Sequence, residues 1–293
     1  MKISVVISAC DNRLGIFQRA LDTWASQTMP KSEFELVVVD DAKRDDLRQL
    51  CRERSQADGL KIQFIRIDKT KSVIPVKSFI PVLTNNVGFR NAKGEVVVVT
   101  GPETLQASTN LEVAWTMRDR RQCAYGLVFK ANVPATDYIA KGWDRLKHLP
   151  LNHLLQIPGA KAECMTRPPH PPAYWYFMSV AKKHVEHIGG IDERFLGGLC
   201  AEDDDFSNRM KMAGIEPVFE HGIIGIHQDH SREDFGDGVH IDRRQEAVRH
   251  LRAHNIALMR DNLAKGNAMA NAGHDWGSKT LVTLCELHGG QDE

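Results

Sequence analysis

Three groups of residues in this chain have the types and spacing to do chemistry. The first is Gly101-Pro102-Glu103, directly after the apolar run at 96–100. The second is Glu202, Asp203, Asp204 and Asp205, which follow the glycine-rich stretch 188–198 and precede Phe206, Arg209 and Met210. The third is His227 with His230, closing the run that starts at Val218. A carboxylate and an imidazole brought together make a workable site for Mn²⁺ or another divalent ion, and Glu103 with His227 or His230 is the pair that fits. A carboxylate at a loop-to-helix corner can serve as a general base. Acids at such a corner also suit a plain helix start, because the helix dipole and its unpaired N–H groups favour them. Four in a row go beyond that need, since like charges repel unless a site uses them. Each histidine likewise has a structural or surface role open to it.

These groups must be positioned by the elements around them. Residues 3–7 are a continuous β-branched apolar run, as in a strand buried on both faces of a parallel sheet. Phe17, Ala20, Leu21 and Trp24 then follow helical spacing, and the helix ends before Pro30. A strand at 34–39 runs into Asp40 and Asp41, a helix carries Leu47, Leu50 and Cys51, and a strand follows at 62–67. This βαβαβ alternation predicts an open sheet with helices on both faces. Ligands collect at the carboxyl ends of strands in such sheets, which makes the loop 8–13 and Asp40 with Asp41 binding candidates. Asp41 can equally cap the next turn.

Further along, 69–79 reads as a basic loop, 96–100 as a strand, 110–120 as a helix and 124–129 as a strand. The stretch 131–172 is less regular and ends in the proline-dense run at 167–172, which predicts a surface loop serving as a lid or acceptor-binding segment. A strand at 174–180, a helix at 181–187, a strand at 218–230 and a helix at 242–265 follow. The tail from Gly266 is weakly patterned, and no internal repeat is found. The expected organisation is a domain over 1–230 with a helical extension over 231–293.

With 38 basic and 38 acidic residues, no global field pulls the chain toward nucleic acid or anionic lipid. No apolar run is long enough to span a bilayer. Six cysteines are scattered without a C-x-x-C pair, so they read as mostly buried free thiols in a reducing compartment. The first residues enter a strand at once without the layout of a signal peptide, and a cytoplasmic location is expected.

Several segments, in order, resemble family 2 glycosyltransferases of the GT-A fold. SVVISACDNR is similar to the family's first strand and nucleotide loop, and ELVVVDD to its second strand with the acid that reads the base. NVGFRNAKGEVVVVTGPE resembles the segment that leads into the D-x-D metal motif. GGIDERF followed by EDDDFSNRM resembles the acceptor-side loop and catalytic-base motif, and is similar also to β-1,4-galactosyltransferases and polypeptide N-acetylgalactosaminyltransferases.

The resemblance implies an α/β, Rossmann-like, mostly parallel sheet and a hexosyltransferase that inverts its donor. That donor is a nucleotide-diphosphate sugar, with a UDP-sugar expected. The acceptor is a glycan or another hydroxyl-bearing molecule, with nucleic acid disfavoured. By position, Asp41 would contact the nucleobase, while Ser8, Ala9 and Arg13 would line the nucleotide pocket together with Asn86 and Gly101. Glu103 would hold Mn²⁺ or Mg²⁺ on the diphosphate with His227. Asp203 would be the base, and Glu202 would touch acceptor or donor sugar. One departure matters: Gly101 stands where the first D-x-D acid belongs. It leaves open a GT-A-like protein that binds nucleotide or glycan without turnover. A nucleotidyltransferase of similar architecture ranks lower, because no glycine-rich phosphate loop with a basic residue lies near residue 1.

Overall fold

A computed structural model describes residues 1–9, 14–41, 45–76, 81–156, 163–164, 175–197, 200–230 and 246–289. The strands are β1 (Ile3–Ala9), β2 (Phe34–Asp40), β3 (Ile62–Ile67), β4 (Val96–Thr100), β5 (Thr104–Gln106), β6 (Gln122–Lys130), β7 (Glu163–Cys164), β8 (Met178–Ala181), β9 (Glu216–His227) and β10 (Val282–His288). The helices are α1 (Leu14–Ala25), α2 (Asp46–Asp58), α3 (Val82–Asn91), α4 (Asn110–Thr116), α5 (Val133–Leu146), α6 (Leu151–Leu154), α7 (Lys182–His187), α8 (Glu202–Met212) and α9 (Glu246–Ala264).

The strands form one mixed sheet in the order β10-β3-β2-β1-β4-β8-β6-β9-β5, with β7 on β6. β3, β2, β1 and β4 run parallel. β8 is antiparallel to both β4 and β6, and β6 is parallel to β9. The carboxyl ends of β1, β2, β4 and β9 therefore share one edge of the sheet. The ends of these strands carry Ala9, Asp40, Thr100 and His227.

Strand alternation assigns each apolar run to two cores. Val6, Val37, Val39, Val97 and Val99 pack on one face against Val82 and Val87 of α3, and Phe206 and Met210 of α8. Val5, Ile7, Leu36, Val38, Val96 and Val98 pack on the other against Phe17, Leu21 and Trp24 of α1 and Leu47 of α2. Burying each such side chain contributes roughly 1.5–3 kcal/mol, which is why runs apolar at every position become central strands.

Two expectations change. Residues 133–146 form a helix, started by Asn132, whose side chain accepts from the Ala135 N–H, with proline in the first turn. It buries Ala135, Ile139 and Trp143 against Leu105 and Ile226. The tail does not stay helical: β10 pairs antiparallel with β3 and extends the same sheet. Its alternating exposure suits an edge strand, and that alternation is too weak a signal to stand out in sequence. Cys51 and Cys123 are buried free thiols as expected, whereas Cys285 is exposed. The proline run at 167–172 lies outside the described residues. Among those described, no helix is long and apolar enough to cross a membrane.

Candidate active site

The metal-type cluster assembles where β4, β5 and β9 meet. Thr104 pairs with His227 across β5 and β9, which places Glu103, one residue earlier, beside that histidine. Nε2 of His227 lies 3.3 Å from Oε1 of Glu103, and both side chains are about nine-tenths covered. The ligand atoms of Glu103, His227 and His230 all fall within 4.8 Å of one another. The Nδ1 atom of His227 is buried with no hydrogen-bond partner among the described residues. Nε2 of the ring faces the carboxylate while Nδ1 is left unpaired among the described residues, and a buried polar nitrogen without a partner is costly unless something binds there, so these residues fit a divalent cation. Tyr176 packs its ring edge-on to His227 at 4.8 Å. Gln228, the residue after His227, donates from its backbone and side chain to the Glu103 carbonyl, and accepts from Nε of Arg19 at 2.6 Å. Arg19 and Gln228 thereby tie α1 to the cluster, a link no motif in the sequence signals.

Glycine at 101 is required by this arrangement. A Cβ there would meet Oε1 of Glu103 at 2.5 Å and its carboxyl carbon at 2.8 Å. The single acid of Gly-x-Glu thus occupies the room that a first D-x-D acid would claim.

The acidic group opens α8. Cys200 and Ala201 just before it both hold left-handed backbone, at φ 66° and 70°, which non-glycine residues adopt only when their surroundings impose it. Glu202 and Asp203 are half-buried, Asp204 is exposed and Asp205 is buried. Burial, reinforced by Asp204, pushes the Glu202 carboxyl up to about 7. Burial and then the neighbouring Glu202 and Asp204 push Asp203 well above the usual carboxylate range. Oε2 of Glu202 is enclosed with no partner among the described residues. Asp205 differs from these two. It accepts from Nε of the fully buried Arg209 at 2.7 Å, and burial raises its carboxyl even so. Arg209 also donates to the carbonyls of Ile188 and Gly190, fixing the start of the glycine loop.

One dipeptide connects the two clusters. Tyr176 meets His227, while Trp175 meets Phe206 of α8 edge-on at 6.0 Å. Phe206 lies three residues after Asp203, so the acidic helix start and the metal-type cluster flank the same stretch of chain entering β8.

The remaining predicted residues are spread along the same sheet edge. Ser8 shares a 2.6 Å hydroxyl contact with Thr84, and Ala9 is buried. Asp41 is half-buried, 3.6 Å from Lys69. Its neighbour Asp40 is fully buried and pairs with Arg66 at 2.9 Å. Arg13 lies outside the described residues. Asn86 is placed differently from expectation. It is fully buried, its Nδ2 donates to the Ile191 carbonyl and to Glu193, and its Oδ1 accepts from the Ile191 N–H. With both ends of its amide occupied, it supports the 190–193 loop.

Residues 4–76 match the family model for glycosyl transferase family 2. That match spans β1 to β3 and the helices between them, and the fold is of the GT-A type. Similar solved structures include S. aureus TarS 1-349 in complex with UDP-GlcNAc, at 16% identity and TM-score 0.56, covering 91% of this chain and 69% of that one. A mannosyltransferase, PcManGT from Pyrobaculum calidifontis, in complex with GDP-Man and Mn²⁺, matches at 16% identity and TM-score 0.52, covering 91% and 73%. GalNAc-T7 with UDP, GalNAc and Mn²⁺ matches at 14% identity and TM-score 0.57, covering 89% and 50%. The chain spans only 38% of the longer TarS chain. At these identities the likeness is one of fold. No curated protein matches the chain in sequence.

Proposed function

We propose that this chain is an inverting, metal-assisted glycosyltransferase that moves a sugar from a nucleotide-diphosphate donor, a UDP-sugar, to an acceptor hydroxyl. The observation that carries the reading is the convergence of Glu103, His227 and His230 beside the chain that also contacts the acidic start of α8. Asp203 takes the proton from the acceptor hydroxyl as that oxygen attacks the anomeric carbon. A carboxylate whose proton affinity is raised by burial and like charge is a stronger base than an ordinary aspartate, which suits this proton transfer. Glu202, with its enclosed Oε2, contacts the sugar or the acceptor. Glu103 and His227, joined by His230, hold the divalent ion. When bound, that ion neutralises charge on the departing diphosphate and acts as its template. Two imidazoles beside one carboxylate favour Mn²⁺ over Mg²⁺, whose preference is for oxygen ligands. Asp41, Ser8 and Ala9 line the nucleotide pocket at the ends of β1 and β2.

Gly101 supports the second reading, a nucleotide- or glycan-binding protein without turnover. The deciding experiment is nucleotide release from a panel of UDP-sugars, with Mn²⁺ or EDTA, for the native chain and Asp203→Asn. Turnover lost with EDTA and in the variant supports the transferase. Calorimetric UDP binding with no release from any donor or acceptor supports the binding protein. Absence of both release and UDP binding overturns the transferase and the nucleotide-binding form of the second reading.

A further inference from the structure

We infer that Asn255 and Asn262 of α9 are positioning residues that set the geometry of the catalytic corner around Asp203, an inference that rests on the transferase reading above. The two asparagines are 0% and 1% exposed and lie seven residues apart, two helical turns, so they share one face. Burying an amide costs free energy unless its hydrogen bonds are satisfied, so asparagine is a poor choice for packing alone. Here both amides point at the acidic corner.

Asn255 donates from Nδ2 to the Cys200 carbonyl at 2.9 Å and to the Phe195 carbonyl at 3.4 Å. Cys200 is the first of the two residues held in left-handed backbone before α8. Oδ1 of Asn255 is buried without a partner among the described residues, a cost that an apolar side chain would avoid. Asn262 donates from Nδ2 to Oδ1 of Asp205 at 2.8 Å and to Oδ2 of Asp192 at 3.1 Å. Its Oδ1 accepts from Nη2 of Arg194 at 2.7 Å. The corner is thus gripped at residue 200, before Asp203, and at residue 205, after it. A helix from the far end of the chain fixes both the strained backbone and the first turn of α8. Strained backbone persists only where neighbours over-determine it; Asn255 supplies that constraint at Cys200, and Asn262 holds the helix turn that follows.

The test compares the native chain, Asn255→Ala, Asn262→Ala, Asn262→Asp and Asp203→Asn. It reads Mn²⁺-dependent turnover, the donor KM, calorimetric affinity for UDP with Mn²⁺, and thermal melting. A misplaced base lowers kcat roughly ten- to a hundredfold in both alanine variants, while donor KM and UDP affinity stay within about twofold. Folded alanine variants with native kcat overturn the inference. Asn262→Asp gives a signature that a merely structural role would not move. The new carboxyl would face Asp192 and Asp205, with Arg194, Arg209 and Asp261 nearby. It can donate to either carboxylate only while protonated. Its kcat relative to the native chain must therefore fall as pH rises, and a flat ratio overturns the inference even where the alanine variants do not fold. Asp203→Asn keeps the two questions apart: native kcat in that variant refutes the base assignment, whereas loss there with native kcat in the asparagine variants refutes this inference alone.

Discussion

The carboxylate of Glu103 lies over Gly101, so close that a Cβ at 101 would stand 2.5 Å from its Oε1. Gly101→Ala should therefore push Glu103 away from His227 without disturbing the fold, because the atoms that must move are the end of a flexible side chain. The Mn²⁺ concentration for half-maximal turnover should rise about tenfold, the scale on which small changes around a metal site act. Gly101→Asp evicts the same carboxylate but supplies another, so its Mn²⁺ requirement should fall below that of Gly101→Ala. Metal titrations of donor hydrolysis check both, and equal values for the two variants would show that the room over Gly101 is unrelated to metal.

His227→Ala removes the imidazole whose Nδ1 is buried without a partner among the described residues. Mn²⁺-dependent affinity for UDP should fall at least about a hundredfold, more than outer-shell changes usually cost. Affinity measured in EDTA should stay as in the native chain. Calorimetry with and without metal reads both, and an equal loss in the two conditions would place His227 in direct nucleotide contact.

How far these residues could be read from sequence depended on burial. β1 to β4 were legible because strands covered on both faces need apolar side chains throughout, and β3 and β4 match the sequence boundaries. α3 was not, because nearly all of it is buried, including Thr84, Asn85 and Asn86, so it shows no apolar stripe. α5 did carry a start signal in Asn132 and Pro134, and Ala135, Ile139 and Trp143 at four-residue steps. The stretch 131–172 was read as a whole, and the proline-dense run at 167–172 outweighed that pattern. In the candidate site, Glu103 and His227 stood out because they follow apolar runs. Asn255 and Asn262 had only one signal, polar residues on the face that α9 buries.

The pH dependence of turnover follows from Asp203. A general base works only when ionised, so kcat/KM should rise with pH toward a plateau on the alkaline side, displaced upward from an ordinary aspartate. Burial is the main cause of that displacement and Glu202 the second. Glu202→Gln removes the like charge, so the rising limb should move to lower pH. A pH–rate profile of both proteins tests this, and an unmoved limb would show that Asp203 does not titrate in it.

The same groups affect stability with a definite sign. Glu202 is raised from 4.5 to about 7, so the folded protein holds a proton there that the unfolded chain releases. Its favourable contribution is complete below about 4.5 and is lost as pH rises through about 7. Between these limits thermal stability should fall with rising pH, and Glu202→Gln should flatten that slope. Melting curves across the window measure it; a native slope that Glu202→Gln leaves unchanged would exclude this carboxyl as its source.

Asp205 reads in sequence as a helix-start residue and Arg209 as a neutraliser of the acidic group, and their geometry makes them a structural pair. Both are about fully buried, with Nε and Oδ2 2.7 Å apart, and Arg209 also holds the Ile188 and Gly190 carbonyls at 3.0 and 2.9 Å. Those carbonyls belong to a turn in which Gly190 has φ +70°, and a Cβ there would lie 2.6 Å from the Trp276 ring. Removing one charge leaves the other buried without its counter-ion, which costs about 3–5 kcal/mol. Asp205→Asn and Arg209→Met should each lower unfolding free energy by that order in urea titrations. The double variant should cost less than the sum, because no lone charge remains buried. Asp203→Asn should leave stability near native, or raise it, since a buried carboxylate held among like charges is removed. If Asp203→Asn proved as destabilising as Asp205→Asn, the separation of the reactive Glu202 and Asp203 from the structural Asp205 would be wrong.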